Sequence, residues 1–225
     1  MRNQKKALVT NTYGTIIAQP AELVEYENLL LSDPKLSGKI NDFHSFMRKY
    51  NQRFGGSPPE TDEDWRYVGK LKNEAMLPLI PYPNSEEFIM NVKKRGLGLI
   101  IFAGASPEES GEIYFELGIG IDNAYTVAGM DRNATSTFEE VGKRMQKDGF
   151  MPVAYLTHKP AHAMASAAAW GKGLICRARN APIPEFPFHL KDEATDEIIG
   201  KVYPFEWDGP VRESEHKKVL DFLAQ

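Results

Sequence analysis

The sequence predicts an α/β fold, a doubly wound parallel sheet with a helical cap inserted after its first strand. Three observations predict it. Short apolar runs alternate with helix-periodic stretches along the chain, the order that lays helices on both faces of a parallel sheet. Three of those runs, "KALVTNTYGTII", "LGLIIFAGAS" and "MPVAYLTHKPAH", break into small or polar turns, and open α/β sheets build their sites at such strand ends. Between the first two, residues 21–76 carry helical periodicity, which reads as an inserted lobe.

The first run opens a loop at Gly14. Helices are expected at "AELVEYENLLL", "INDFHSFMRKYNQRF" and "DEDWRYVGKLKNEAML", separated by "SDPKLSG" and "GGSPPET". Within this lobe Phe43, Phe46, Tyr50, Trp65 and Tyr67 fall at helical spacings and read as its core, while Lys49, Arg53 and Arg66 read as solvated. A Pro-rich return then leads into a helix with Phe88, Ile89 and Val92 on one face and Gly96 as its stop. After the second strand, "PEESGEIYFELGI" is an acid-led helix, "NAYTVAG" a short strand, and "TSTFEEVGKRMQKDG" a helix with Thr135 or Ser136 as N-cap. "AMASAAAWG" predicts an Ala-rich helix, "GLICRA" and "EIIGKVYPF" strands, and "ESEHKKVLDFLAQ" a closing helix. The resulting division is a core of 1–20 with 77–225 and a cap of 21–76.

Composition narrows the function. The 225 residues carry 42% hydrophobic and 26% charged side chains, ordinary for a globular chain. The formal charge of −4 offers no broad positive field for a nucleic acid. No apolar stretch approaches a membrane span or a secretory core, so the expectation is a cytoplasmic protein without membrane attachment. The single cysteine, Cys176, excludes an intrachain disulfide and sits in an apolar strand.

The ordered turns "TNTYGT" (10–15), "AGASP" (103–107) and "THKPAH" (157–162), with the cap after the first, resemble the haloacid dehalogenase superfamily. The nearest likenesses are the L-2-haloacid dehalogenases, whose first motif is Asp-x-Tyr-Gly-Thr, and the enolase-phosphatases, whose Arg-Pro-Gly-Asn-Ala-Pro segment is similar to "RARNAP" here. The resemblance spans residues 5 to about 183 and implies a Rossmann-like core and hydrolytic chemistry through a covalent aspartyl ester.

The motif residues depart from that chemistry. Asn11 stands where the family has its nucleophilic Asp, and an amide is neither a nucleophile nor a base near neutral pH. Tyr13 stands where family phosphatases have an acid, though dehalogenases also carry Tyr. Ala103 takes the place of the oxyanion-binding Ser, followed by Gly104, with Ser106 farther round the turn. Arg132 corresponds to the family's Lys, as an anion clamp or as a solvated loop residue. His158, beside Lys159, stands where acids would hold Mg²⁺, a poor exchange for an oxygen-seeking ion; the resemblance therefore implies that the Mg²⁺ site is lost and no cofactor is expected. His158 and His162 are four apart and could share a helix face as a transition-metal pair, but without a recognisable third ligand they read as capping or surface residues.

The leading reading is a fold kept without its catalysis, a pseudoenzyme binding a small anionic ligand or a protein. Its candidate ligand-binding residues are Asn11, Tyr13, Thr15, Gly104, Ser106, Arg132 and His158. The alternative is a hydrolase with a repurposed, metal-independent cleft that uses Tyr13, Arg132 and His158. A third is a subunit of an assembly, including one with copies of itself, joined through the Pro- and aromatic-rich residues 180–210.

Overall fold

A computed structural model describes residues 4–18, 20, 23–57, 59, 61–82, 84–104, 106–126, 129–177, 188–191, 198–206 and 213–224. The chain divides into two compact units, Met1–Ile16 with Tyr82–Gln225, and Ile17–Pro81.

The larger unit is built on a seven-stranded sheet. Its strands are β1 (Lys5–Thr10), β2 (Gly98–Ala103), β3 (Asn123–Thr126), β4 (Phe150–Thr157), β5 (Lys172–Arg177), β6 (Phe188–Lys191) and β7 (Ile198–Glu206). They lie in the order β3-β2-β1-β4-β5-β7-β6. All neighbours pair in parallel except β6 with β7. The sheet is thus mostly parallel, as the doubly wound reading expects, and its one antiparallel pair follows from chain length: only residues 192–197 separate the two strands, and a parallel crossover needs a dozen or more.

Among the described residues, this unit also holds the helices α4 (Ser85–Lys94), α5 (Pro107–Glu116), α6 (Thr135–Lys147), α7 (Pro160–Trp170) and α8 (Glu213–Ala224). Alternate residues of the strands face opposite ways, and both sets are apolar. Ala7, Val9, Ile100, Phe102 and Tyr155 pack with Phe138, Val141, Met145 and Ala165 of α6 and α7. Leu8, Leu99, Ile101 and Leu156 are equally buried, and α4 and α5 pack on β2. Burying each Leu, Ile or Phe contributes roughly 1.5–3 kcal/mol. Phe88, Ile89 and Val92 form the buried face of α4, and Gly96 ends it at φ +77°.

The first turn of α6 differs from expectation. Its N-cap is Ala134, with Thr135 already helical, and no side chain caps the end. Thr137 Oγ1 instead donates to Asp131 O at 2.6 Å, fastening the preceding loop to the helix.

Helix α7 is rich in alanine because of where it lies. A Cβ on Gly173 would overlap the Ala163 carbonyl oxygen, and one on Gly200 that of Ala167. The helix backbone thus rests on two strands at glycines, and Ala163, Ala167, Ile175 and Val202 close the contact.

The smaller unit holds α1 (Leu23–Ser32), α2 (Ile40–Phe54) and α3 (Asp62–Glu74). Phe43, Phe46 and Tyr50 are buried as expected, in a run of ring contacts from Tyr26 to Phe54. Trp65, read as core, is exposed. Arg53 is exposed, as read, and lies 4.4 Å over the Tyr67 ring while pairing with Asp64 at 3.3 Å. Thr61 and Asp64 close a capping box at the start of α3.

The end of α3 carries a cost. Met76 N–H donates to Asn73 O and Leu77 N–H to Lys72 O, a Schellman motif that puts Met76 at φ +49°. Glycine is favoured there, and Met76 is 74% exposed, so little packing offsets the strain. Met76→Gly is expected to raise stability by about 0.5–1 kcal/mol, read as a higher urea midpoint; a lower midpoint contradicts this account.

No described helix is long and apolar enough to cross a membrane. The "RARNAP" resemblance and the assembly reading rest largely on residues 178–187 and 207–210, which lie outside the described residues.

Candidate functional site

The sheet order sets β1 between β2 and β4, and Thr10 aligns with Ile101 on one side and Leu156 on the other. The three polar turns therefore leave the same edge of the sheet side by side. Successive connections run from β1 toward β2 and from β3 back to β4, so this is also where the strand order reverses, the usual place for a ligand crevice.

Asn11 is the first residue past β1. It is buried, at 6% exposure, and both ends of its amide are engaged. Nδ2 donates to Tyr13 O at 3.1 Å, and Oδ1 accepts from the Thr15 hydroxyl. Thr10 Oγ1 contacts Asn11 O at 2.9 Å and Leu156 O at 3.2 Å, tying the turn to β4. Gly14 takes φ +72°, and a Cβ there would lie 2.6 Å from Cε1 of His158. The imidazole therefore covers the glycine, with Nδ1 at 3.4 Å from Thr15 Oγ1.

His158 precedes α7, whose N-cap is Lys159, and His162 sits in the first turn of the helix and is buried. The two rings do not share a helix face, contrary to the metal-pair geometry: Pro160 begins the helix after His158 has already left the strand. Burial, the Lys159 ammonium and the Arg132 guanidinium push His158 down to about 4. Burial first, then Arg132, Lys159 and His158, push His162 down to about 3, against a small opposing pull from Asp131. Both rings are neutral at pH 7. Arg132 is half-buried and closes no ion pair among the described residues. Among the described residues, His162 Nδ1 is buried without a hydrogen-bond partner, while the buried Thr12 and Tyr114 hydroxyls interact with one another.

The remaining candidates make other contacts. Tyr13 is influenced by α5: burial, Glu109 and Glu116 push its hydroxyl up to about 12. Ala103 is buried at the end of β2 and Gly104 is exposed. Ser106 caps α5, its Oγ accepting from Glu109 N–H at 3.1 Å while Glu109 accepts from Ser106 N–H at 2.8 Å. The structure thus gathers Asn11, Thr15 and His158 around Gly14 and sets Arg132 near both histidines. It turns Tyr13 toward α5 and commits Ser106 to a helix end. Sequence reasoning missed the Thr15–His158 contact and the burial of His162; no local signal marks the former, because its partners lie 143 residues apart. Among the described residues, no three His, Cys, Asp or Glu side chains converge as a metal site.

A reversing parallel sheet, a helical unit inserted after β1 and three turns at adjoining strand ends define the haloacid dehalogenase-like fold. Solved structures agree. The chain superposes on a haloacid dehalogenase superfamily hydrolase from Ehrlichia chaffeensis with a TM-score of 0.54 at 7% identity, covering 100% of both chains. An L-2-haloacid dehalogenase gives 0.52 at 12% identity, covering 99% of this chain and 100% of the other. A subfamily IA hydrolase of the superfamily from Geobacter sulfurreducens gives 0.50 at 13%, covering 97% and 96%. At these identities the likeness is one of fold. No family model matches the sequence, and no curated protein matches it.

Proposed function

We propose that this protein keeps the haloacid dehalogenase-like fold without aspartyl-ester catalysis and acts by binding a small anionic ligand at the turn cluster around His158. The observation that carries this reading is the state of Asn11: a buried amide with its oxygen and nitrogen both hydrogen-bonded to its own turn. Such a group neither attacks phosphorus or carbon nor accepts a proton.

The neighbouring groups do not fit Mg²⁺, which takes oxygen ligands in octahedral order. The turn after β4 offers an imidazole, and the Lys159 and Arg132 cations lie close enough to depress it. A site of that polarity favours an anion.

The second reading, a metal-independent hydrolase using Tyr13, Arg132 and His158, draws on one observation: Thr15 gives His158 an orienting neighbour, which an acid–base imidazole needs.

The test is turnover of phosphoesters and 2-haloacids, with and without Mg²⁺, by the natural sequence, Asn11→Asp, and Asn11→Asp with His158→Asp. The natural chain is expected to be inactive and the double variant to gain Mg²⁺-dependent turnover. Turnover by the natural chain that His158→Ala abolishes selects the second reading.

A further inference from the structure

An amide has direction where a carboxylate has none. The Tyr13 carbonyl can only accept, so the group 3.1 Å from it is Asn11 Nδ2, which turns Oδ1 toward Thr15. Oδ1 can only accept as well, so the single Thr15 hydroxyl proton is donated to it. Thr15 Oγ1 then presents lone pairs to His158 Nδ1 at 3.4 Å, and a favourable contact requires the proton on Nδ1. A neutral imidazole carries one N–H, which leaves Nε2 as a bare acceptor.

We infer that Asn11 and Thr15 are positioning residues that hold His158 in its Nδ1–H form, so that Nε2 accepts a proton-bearing group of the ligand. This rests on the binding function proposed above and narrows its ligand to an anion that also carries an O–H or N–H. Arg132, which closes no ion pair among the described residues and whose charge reaches the His158 ring, supplies the attraction for the anionic part. The chain of donors runs in one direction, from Thr15 to Asn11 and from His158 to Thr15, and ends at the lone pair of Nε2.

Long-range proton–nitrogen NMR of the ¹⁵N-histidine-labelled protein at pH 7 reads the tautomer directly, independently of any activity. His158 is expected to show Nδ1 protonated and Nε2 bare. Thr15→Ser should keep that pattern, and Thr15→Val should release the ring toward the Nε2–H form that free histidine prefers. A proton on Nε2 in the natural chain, or a Thr15→Val spectrum identical to it, overturns the inference. Where Thr15→Val does not fold, the natural chain and Thr15→Ser still decide.

The ligand class is read with inorganic phosphate and sulfate, anions of like shape of which only phosphate retains an O–H at pH 7. Phosphate is expected to shift the His158 Nε2 resonance and to bind about tenfold or more tightly than sulfate, because sulfate leaves the acceptor unpaired. Equal affinity removes Nε2 from recognition. If the natural chain proves to be a hydrolase while His158 remains Nδ1–H, the binding function fails and the tautomer assignment stands.

Discussion

Gly173→Ala is expected to destabilise the larger unit by about 2–3 kcal/mol, and Gly200→Ala by a similar amount. In each case the added methyl overlaps a backbone carbonyl of α7, that of Ala163 or Ala167. A carbonyl within a helix cannot swing aside as a side chain can, so α7 must lift off β5 and β7. Lifting it also strains the contact of α6 with α7, where Trp170 Nε1 donates to Phe138 O at 3.0 Å. Gly111→Ala is the control. It lies in α5 with nothing within 4 Å of its would-be Cβ, and alanine in a helix gains about 0.5–1 kcal/mol over glycine. Urea unfolding of the three variants should move the midpoint down, down and up. A Gly173→Ala protein as stable as the parent shows that α7 does not rest on the strand at this point.

This contact illustrates what a sequence can and cannot convey. "AMASAAAWG" is legible as a helix, because alanine favours helices and Gly171 stops it. Its small face is legible only once Gly173 and Gly200 are known to lie beneath it, and those residues belong to strands joined through an intervening hairpin strand. The antiparallel β6 was hidden for a similar reason: its direction follows from the length of a connection whose partner strand had to be known. Local periodicity did give the strands that carry the three turns, because parallel strands buried on both faces read as continuous apolar runs.

The candidate site divides along the same line. That Asn11 cannot act as a nucleophile follows from its side chain alone. The relay from His158 through Thr15 to Asn11 spans 147 positions of sequence and depends on β1 pairing with β4. Ser106 was misleading in isolation: a serine in a turn at a strand end can serve a ligand or a helix, and Glu109 three residues later marks the helix cap.

Acid should unfold this protein earlier than its carboxylates require. In the unfolded chain His158 and His162 take up protons near pH 6.5; in the folded protein they resist until about 4 and about 3. Between those limits the unfolded state binds more protons, so stability falls as pH falls. His162, 6% exposed, accounts for roughly 1.4 kcal/mol per pH unit over this window, and the half-buried His158 for less. Lys159 and Arg132 deepen the effect by repelling the incoming charge, and Asp131 weakens it at His162. Carboxylates act lower. Asp122 is opposed by burial but more strongly favoured as an anion by Lys5 and the Leu99 N–H, so its contribution is lost only below its unfolded value near 4. Urea midpoints measured from pH 6.5 to 4.5 isolate the histidines. His162→Gln, neutral throughout, should flatten most of the slope, and His158→Asn a smaller part. A parental slope retained in the double variant means that neither ring is held neutral by the fold, and that the cationic surroundings of the turn after β4 act on something else.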